Sequence, residues 1–334
     1  MQVAPGVYRL PISLYSPPLV VDPKPTANVY VLRGKDGCML IDSGWDTKEA
    51  YDGLKSQMAE IGLGLKDIKK VAYTHSHPDH FGQAGLFKEY GTTWQAAHRL
   101  EMEYICNKFS RTDDELGKTE VQWYISHGVP AKYLEELRQA YLRMHHMIRF
   151  SVPSVALEED DVIEFTPFHL KVLLTPGHSL GHICYYEPRL KLLFCGDHLT
   201  PKQPPHIPFY SSYKDNINPI GSYLTTLKPL EALDVELVLP AHGHEFTGFK
   251  RRLDQTKRQL EQRNEETFDV LDGQQMTAFQ VNMQLHPHSE WNKMPTVQKR
   301  GQMVETVAQL QALKLDGRVE TVLNDGLILY KRKG

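Results

Sequence analysis

The sequence has few cysteines, no long apolar run and a small net charge, and each of these scarcities excludes a class of protein. Its four cysteines, Cys38, Cys106, Cys184 and Cys195, show no C-x-x-C spacing, which argues against a thiolate metal cage and against a disulfide framework. No stretch approaches the roughly 20 consecutive apolar residues that a membrane-spanning helix needs. The first residues also lack the charged start and apolar core of a secretory signal, so we expect a soluble, cytoplasmic protein without a membrane partner.

Charge is distributed unevenly along the 334 residues. Residues 1–248 contain 24 Lys and Arg against 30 Asp and Glu, whereas residues 249–334 contain 14 against 11. The acidic part is not suited to polyanions, and the mildly basic tail alone is too weak a signal to establish nucleic-acid binding. Because the chain also exceeds the usual size of a single core, we expect two domains, 1–248 and 249–334.

Short apolar runs predict strands that end at polar motifs. The runs at 27–32 and 38–41 predict a hairpin, which a helical pattern at 47–61 follows. The run at 68–73 predicts a buried strand that leads into a histidine-rich loop and then into a helix at 82–90. Further strands are predicted at 162–165, 170–174, 183–186, 190–194 and 235–239.

Two regions have helical patterns. Residues 97–150 predict a helical insertion into the strand-rich scheme, with breaks at Gly117 and at 128–130. This insertion could serve as a lid or as the surface of a homodimer. In the tail, helices are predicted at 250–268, 277–285 and 296–315, and a hairpin at 319–323 and 327–330. Helices followed by a terminal hairpin predict a small winged-helix domain.

The segment His75-x-His77-x-Asp79-His80 has three imidazoles and a carboxylate within six residues. Neutral imidazole nitrogen and carboxylate oxygen suit zinc, and they also accept iron or manganese. At the end of an extended strand, His75 and His77 point the same way because side chains alternate with period two, so these two can share one metal ion. Asp79 and His80 lie beyond Pro78, where the chain turns into a helix, and can face a neighbouring ion.

Three later residues supply the partners that this cluster needs. His178 lies in a Pro-Gly turn after a predicted strand, Asp197 follows the apolar run at 192–195, and His242 ends the run at 235–240. The sequence therefore predicts a site for two divalent metal ions, zinc by preference, with the ligands His75, His77, Asp79, His80, His178, Asp197 and His242. Three further histidines near these ligands are expected to support them by hydrogen bonds instead of binding metal, namely His182, His198 and His244.

The ligand order H-x-H-x-D-H, then H, D and H, resembles the metallo-β-lactamase fold superfamily over about residues 5–248, and Asp42-x-Gly44 also matches its pattern. The resemblance implies an α+β fold, an αββα sandwich with the site at one edge of two packed sheets. It also implies that His75, His77 and His178 hold one metal ion, that Asp79, His80 and His242 hold the other, and that Asp197 bridges both. The tail resembles the winged-helix extension of one branch, which includes bacterial proteins of unassigned activity and a mitochondrial endoribonuclease.

Two adjacent divalent ions lower the pKa of a shared water and polarise a substrate oxygen, which predicts hydrolysis by a hydroxide that bridges the ions. Asp79 is the candidate catalytic residue, because it could orient the hydroxide and relay a proton as well as bind metal. His206 and Tyr210, on a proline-rich loop after Asp197, are candidates for the substrate pocket as hydrogen-bond donors, although aromatic packing explains them equally well.

Three functions stay open. A small-molecule thioester, ester or lactone is favoured, because the metal domain is acidic and the insertion is apolar. A phosphodiester or RNA is the alternative, supported by the tail segments Lys250-Arg251-Arg252 and Lys299-Arg300. The third possibility is mononuclear iron dioxygenase chemistry, which is found on the same fold, or a catalytically silent binding module. The complete set of seven ligands argues against both.

Overall fold

The structure is a computed structural model that describes residues 1–14, 25–287 and 290–334. Within these residues the strands form three sheets. The first sheet has seven strands in chain order: β1 (Gln2–Ala4), β2 (Val7–Ser13), β3 (Thr26–Arg33), β4 (Cys38–Ile41), β5 (Ile68–Ala72), β6 (Trp94–His98) and β7 (Val155–Leu157). The pairs up to β4 are antiparallel and the later ones are parallel. The predicted hairpin is confirmed by β3 and β4, in which Tyr30 faces Ile41.

The second sheet has five strands in the spatial order β12, β11, β10, β9, β8. Their bounds are β8 (Val162–Phe165), β9 (Phe168–Leu174), β10 (Ile183–Glu187), β11 (Leu192–Gly196) and β12 (Leu237–Pro240). Neighbours are antiparallel except for β11 and β12. Strands β9, β11 and β12 therefore end at the same edge, which is where the predicted ligand motifs follow them.

The two sheets pack face to face through an apolar layer that includes Tyr30, Ile41, Leu170 and Phe194. The outer face of the first sheet is covered by the helices α1 (Lys48–Glu60), α2 (Pro78–Phe81) and α3 (Ala84–Glu89). Alternation along β3 explains the arrangement, since Tyr30 and Leu32 face the second sheet whereas Val29 and Val31 face the helices.

The insertion consists of three helices, α4 (Arg99–Phe109), α5 (Asp113–Ser126) and α6 (Ala131–His145). Its predicted start at residue 97 is wrong by two residues, because Ala97 and His98 still pair with β7 and the His98 ring then caps α4 at Leu100 N. The predicted break at Gly117 is also wrong. This glycine lies inside α5 and leaves room for the Arg138 side chain of α6, which a Cβ would approach to 3.1 Å.

Helices α7 (Pro219–Glu231) and α8 (Phe249–Val270) cover the outer face of the second sheet. This confirms the α+β fold and the αββα sandwich. The remaining elements are α9 (Ala278–Leu285), α10 (Thr296–Leu315) and a third sheet of β13 (Met276–Thr277), β14 (Val319–Asn324) and β15 (Leu327–Arg332). The tail helices and hairpin thus occur as predicted, while the domain boundary at 248 and the winged-helix assignment stay predictions.

The tail shares its apolar core with the second sheet. One buried cluster contains Cys195 and Val238 of that sheet together with Leu253, Met303 and Leu310 of the tail. The tail also contacts the insertion through ion pairs, since Arg300 pairs with Glu120 at 2.9 Å and Lys299 pairs with Glu136 at 2.6 Å. Among the described helices, none has both the length and the apolar character to cross a bilayer.

We expect Leu310→Ala to lower the free energy of unfolding by about 2–5 kcal/mol, because Leu310 is fully buried in the shared cluster. Leu315→Ala in the same helix is the control, since Leu315 is 44% exposed, and about 0.5 kcal/mol or less is expected. Urea unfolding, followed by tryptophan fluorescence and by metal release, measures the free energy of unfolding of the two variants. The two probes should give one coincident transition, and separate transitions would contradict a shared core.

Candidate metal centre

The seven predicted ligands lie at one edge of the sandwich, five of them on four loops and two, Asp79 and His80, in α2. Two of the loops follow β5 and β9, and two follow β11 and β12. His77 precedes α2 in extended conformation, and Pro78 begins that helix, where its fixed φ suits the first helical position. This turn separates His75 and His77 from Asp79 and His80, so one short segment serves two groups of ligands.

Three imidazole nitrogens converge on one point. His75 Nε2 lies 2.9 Å from His77 Nδ1, and His178 Nε2 lies 3.1 Å and 2.8 Å from these two atoms. The opposite nitrogen of His178 donates to the carbonyl of His206 at 2.6 Å, so in the neutral ring Nε2 presents a lone pair. Facing lone pairs repel one another unless a cation lies between them, and the spacing suits tetrahedral coordination.

A second group forms beside the first from Asp79, His80 and His242, whose ligand atoms lie within 4.8 Å of one another. Asp197 lies between the groups, with Oδ2 3.3 Å from His178 Nε2 and Oδ1 3.3 Å from His242 Nε2. Within the described residues, His80 Nε2 and Asp197 Oδ1 are buried without a hydrogen-bond partner. Buried polar atoms are costly when unpaired, so this set of atoms fits one cation in each group with Asp197 between them.

Each of the five histidines is oriented by a hydrogen bond to its other ring nitrogen, as metal-binding imidazoles usually are. The partners are Thr74 Oγ1 for His75 (3.0 Å), Tyr210 OH for His77 (2.9 Å), Asp42 Oδ2 for His80 (2.8 Å), the His206 carbonyl for His178 (2.6 Å) and the Thr26 carbonyl for His242 (3.0 Å). Asp42, which belongs to the Asp42-x-Gly44 pattern, also accepts from Thr74 N at 2.8 Å. These contacts fix the ring orientations before any metal binds.

The protonation states suit divalent cations. Burial lowers the pKa of His75 and of His77 well below the usual value, and the neighbouring imidazoles lower it further. Burial raises the pKa of the Asp197 carboxyl, but His242 and His80 outweigh it and hold that pKa well below its usual range. The first group therefore offers neutral nitrogens, and the Asp197 carboxylate is ionised, as metal ligands must be.

On the side of the second group, the carboxylates attract positive charge. Burial lowers the pKa of His80 and His242, but Asp79 and Asp197 raise it well above the usual value. The field of the two carboxylates thus favours a cation at this position. A divalent metal ion concentrates its positive charge more strongly than a protonated imidazole ring does.

Glu101 of α4 is a buried residue of the site that no sequence pattern singles out. Its Oε2 accepts from Ser76 N at 2.9 Å and from the Ser76 hydroxyl, and its Oε1 accepts from Gly181 N at 2.8 Å. One carboxylate thereby joins the loop of His75 and His77 to the loop of His178. An acidic residue in a helix is ordinary in sequence, so only the fold reveals this contact.

The two predicted pocket residues have different positions. Tyr210 lies beside His77 and lines a cavity with Ser76, Tyr104 and Tyr213. The ring of His206 instead binds Glu305 of α10 at 2.7 Å, and only its carbonyl reaches the site, at His178. Of the three supporting histidines, His182 contacts a ligand, since its Nε2 accepts from Asp197 N at 3.1 Å.

Comparison with known protein families assigns the chain that carries this arrangement to one of them. Residues 23–242, about two thirds of the chain, match the Metallo-beta-lactamase superfamily. The chain belongs to the metallo-beta-lactamase superfamily. Its members are metallo-hydrolases that bind divalent metal ions, and the clustered histidines and aspartates described above lie inside the matched residues.

Several superfamily relatives resemble the chain over most of its length. The probable metallo-hydrolase YqjP of Bacillus subtilis is 26% identical over 321 residues, covering 91% of this chain and 92% of its own. The crystal structure of a metallo-beta-lactamase family protein of Thermus thermophilus has a TM-score of 0.80 and 27% identity, covering 99% of this chain and 100% of its own. The acyl-coenzyme A thioesterase MBLAC2 of Gallus gallus is 28% identical over 226 residues, 66% of this chain and 73% of its own. The first two matches extend into the tail.

We expect protein purified without chelator to contain about two divalent metal ions per chain, because Asp197 lies between two neighbouring groups of ligand atoms. Asp197→Asn keeps the shape but removes the charge that holds two cations close together, and it should lose one ion. Asp234→Asn, at an exposed position, is the matched control. Elemental analysis decides the matter, and an Asp197→Asn protein with both ions would show that Asp197 does not bridge.

We expect Glu101→Gln to weaken metal binding about 10- to 100-fold. The substitution removes the negative charge that attracts the backbone N–H groups of Ser76 and Gly181, and one of these N–H groups would then face the NH2 group of the glutamine. Glu103→Gln on the same helix is the control, since its side chain is 59% exposed. Competition with a chromogenic chelator measures the affinity. Equal affinities in the two variants would mean that Glu101 does not position the ligand loops.

Proposed function

We propose that this superfamily member is a dinuclear, zinc-type hydrolase that cleaves a small-molecule thioester, or an ester or lactone of similar size. The observation that carries the proposal is the pair of neighbouring ligand groups with Asp197 between them, beside a narrow cavity lined by His77, Tyr104, Tyr210 and Tyr213. A cavity of this kind suits a small substrate more than a nucleic-acid strand. The relationship to an acyl-coenzyme A thioesterase supports the thioester among the three bonds.

In this proposal the ligands divide as the superfamily resemblance implies. His75, His77 and His178 would hold one ion and Asp79, His80 and His242 the other, with Asp197 between them. Divalent cations at these positions supply Lewis acidity and lower the pKa of water towards neutrality, and iron or manganese could replace zinc in the same donor set.

The protein's own side chains then handle protons and orientation. Asp79 is ionised, because His80 and His242 hold its pKa well below the usual range although burial alone would raise it. An ionised carboxylate at the centre can orient the attacking water and carry a proton to the departing group, as expected for Asp79 in the catalytic role.

Tyr210 is suited to stabilise a developing oxyanion. Because His77 directs Nδ1 at the other imidazoles, its Nε2 carries the ring proton and donates to the Tyr210 oxygen at 2.9 Å. The hydroxyl hydrogen of Tyr210 is then free to donate to a substrate oxygen in the cavity. Burial raises the pKa of Tyr210, so this hydrogen is retained at neutral pH.

The nuclease alternative loses part of its support from the positions of the basic residues. Arg252, Lys299 and Arg300 are 4%, 3% and 7% exposed. Arg252 donates to the Thr200 carbonyl, and the other two pair with carboxylates of the insertion. Side chains used in this way do not form a surface for a phosphate backbone. The dioxygenase alternative needs one iron ion, and the second ligand group would then bind no metal ion.

The test is an activity screen of the metal-loaded protein on thioesters, lactones, phosphodiesters and single-stranded RNA. We expect thioesters to be cleaved with the highest kcat/KM, and this value to change less than about threefold between roughly 50 and 200 mM salt, because few charges are paired on binding. A preference for RNA with a loss on the order of a thousandfold over that range would establish the nuclease instead. Oxygen consumption with one iron per chain would establish the dioxygenase.

A further inference from the structure

A second cavity adjoins the metal centre, between the insertion helices and the loop that carries Tyr210. It begins at His77 and Pro78, and Arg300 of α10 also lines it. We call it the Lys108 pocket, after the lysine of α4 among the residues that line both of its halves: Tyr104, Lys108, Tyr141, Ser211 and Ser212. We propose that the Lys108 pocket binds an anionic oxygen group of the substrate, a carboxylate or a phosphate. This inference rests on the proposed acyl hydrolysis at the same centre.

Positive charge in the pocket exceeds negative charge. Glu120 lines the pocket, and it is already paired with Arg300 at 2.9 Å and accepts from Ser211 at 2.8 Å. No carboxylate of the described residues lies at ion-pair distance from Lys108 or from Arg111, which lines the far half. Lys108 instead lies over the Tyr141 ring, 5.4 Å from its centre. Lys108 and Arg111 thus have no paired carboxylate, although Arg111 already donates to the Glu115 carbonyl and to the Thr119 hydroxyl.

The neutral lining groups are also donors. Among the described residues, the hydroxyls of Tyr104, Tyr141 and Ser212 have no hydrogen-bond partner, although all three line the pocket. Burial raises the pKa of Tyr104 and raises that of Tyr141 to about 12, so both stay protonated. A group with several oxygen acceptors and a negative charge can accept from these hydroxyls and neutralise the two cations together. An apolar group would leave the three hydroxyls without a partner and Lys108 without a counter-charge.

Burial of Lys108, helped by the nearby Arg300 guanidinium, lowers its pKa to about 8. The ammonium is therefore still largely protonated at neutral pH, and it has lost much of its hydration, so a bound anion gains more from it than from an exposed lysine. The pocket contacts His77, so a substrate with its acyl carbon at the metal edge can place a charged end here. That charge belongs either to the acyl chain or to the thiol carrier.

The test uses Lys108→Met, which removes the charge but keeps a long side chain beside Tyr141, and Lys55→Met, an exposed lysine on α1, as the matched control. Three thioesters separate the sources of charge: the butyryl thioester of N-acetylcysteamine is neutral, its glutaryl analogue has a charged acyl end, and butyryl-coenzyme A has phosphates on the carrier. For the anionic substrate whose charge lies in the pocket, we expect the ratio of its kcat/KM to that of the neutral substrate to fall about tenfold in Lys108→Met. The fall should come from a higher KM. Lys55→Met should keep the ratio of the unaltered protein.

A fall with the glutaryl substrate assigns the pocket to the acyl chain, and a fall with butyryl-coenzyme A assigns it to the carrier. Lys108→Met with both ratios unaltered overturns the proposal. If the unaltered protein cleaves none of the three thioesters, the pocket is tested by binding alone, so that its outcome is separate from that of the proposed function. Calorimetric titration with glutarate and with inorganic phosphate should then show about tenfold weaker binding of one of them in Lys108→Met than in Lys55→Met, and equal affinities overturn the pocket.

Discussion

The convergence of buried ligand atoms around Asp197 is the constraint on which the rest of the structure depends. Its two oxygens face two groups of polar side chains, and several of these side chains are withdrawn from water. Burying such a cluster lowers the stability of the folded chain unless cations neutralise it. Because the ligands come from loops of both sheets, the interaction that makes the cluster tolerable also fastens one edge of the sandwich. Binding of metal and stability of this edge are therefore linked.

The hydrogen bonds behind the ligands show how far this constraint extends. Asp42 and Thr74 orient ligands from the first sheet, and Glu101 joins ligand loops of the two sheets from a helix of the insertion. The insertion is thus a structural support of the centre as well as a wall of its cavities. The position of Glu101 is tied to the geometry of the ligand loops through its hydrogen bonds to Ser76 and Gly181.

The tail takes part in the same network through α10. Glu305 binds His206, whose carbonyl accepts from His178, and the Val304 carbonyl accepts from Phe209 N at 2.9 Å in the loop that carries Tyr210. Arg300, from the same helix, closes the Lys108 pocket with Glu120. The tail is therefore better described as the outer support of the active-site loop than as an independent appendage. The full-length matches to relatives agree with a shared arrangement.

The sequence alone determined most strands and the strand ends that carry the seven predicted ligands, because metal coordination needs particular side chains and strand ends show a local apolar pattern. The αββα architecture followed from the resemblance of the ligand order to the superfamily. The sequence also determined the tail helices, whose periodicity is regular. Only the tertiary structure decided the role of Glu101, the burial of Arg300 and the charge of the Lys108 pocket. Ser76 and Glu101 are separated by 25 residues, and Glu120 and Arg300 by 180. Contacts between such distant segments depend on how helices pack on the sandwich. Periodicity shows which face of a helix is apolar, but it does not show which distant side chain that helix contacts.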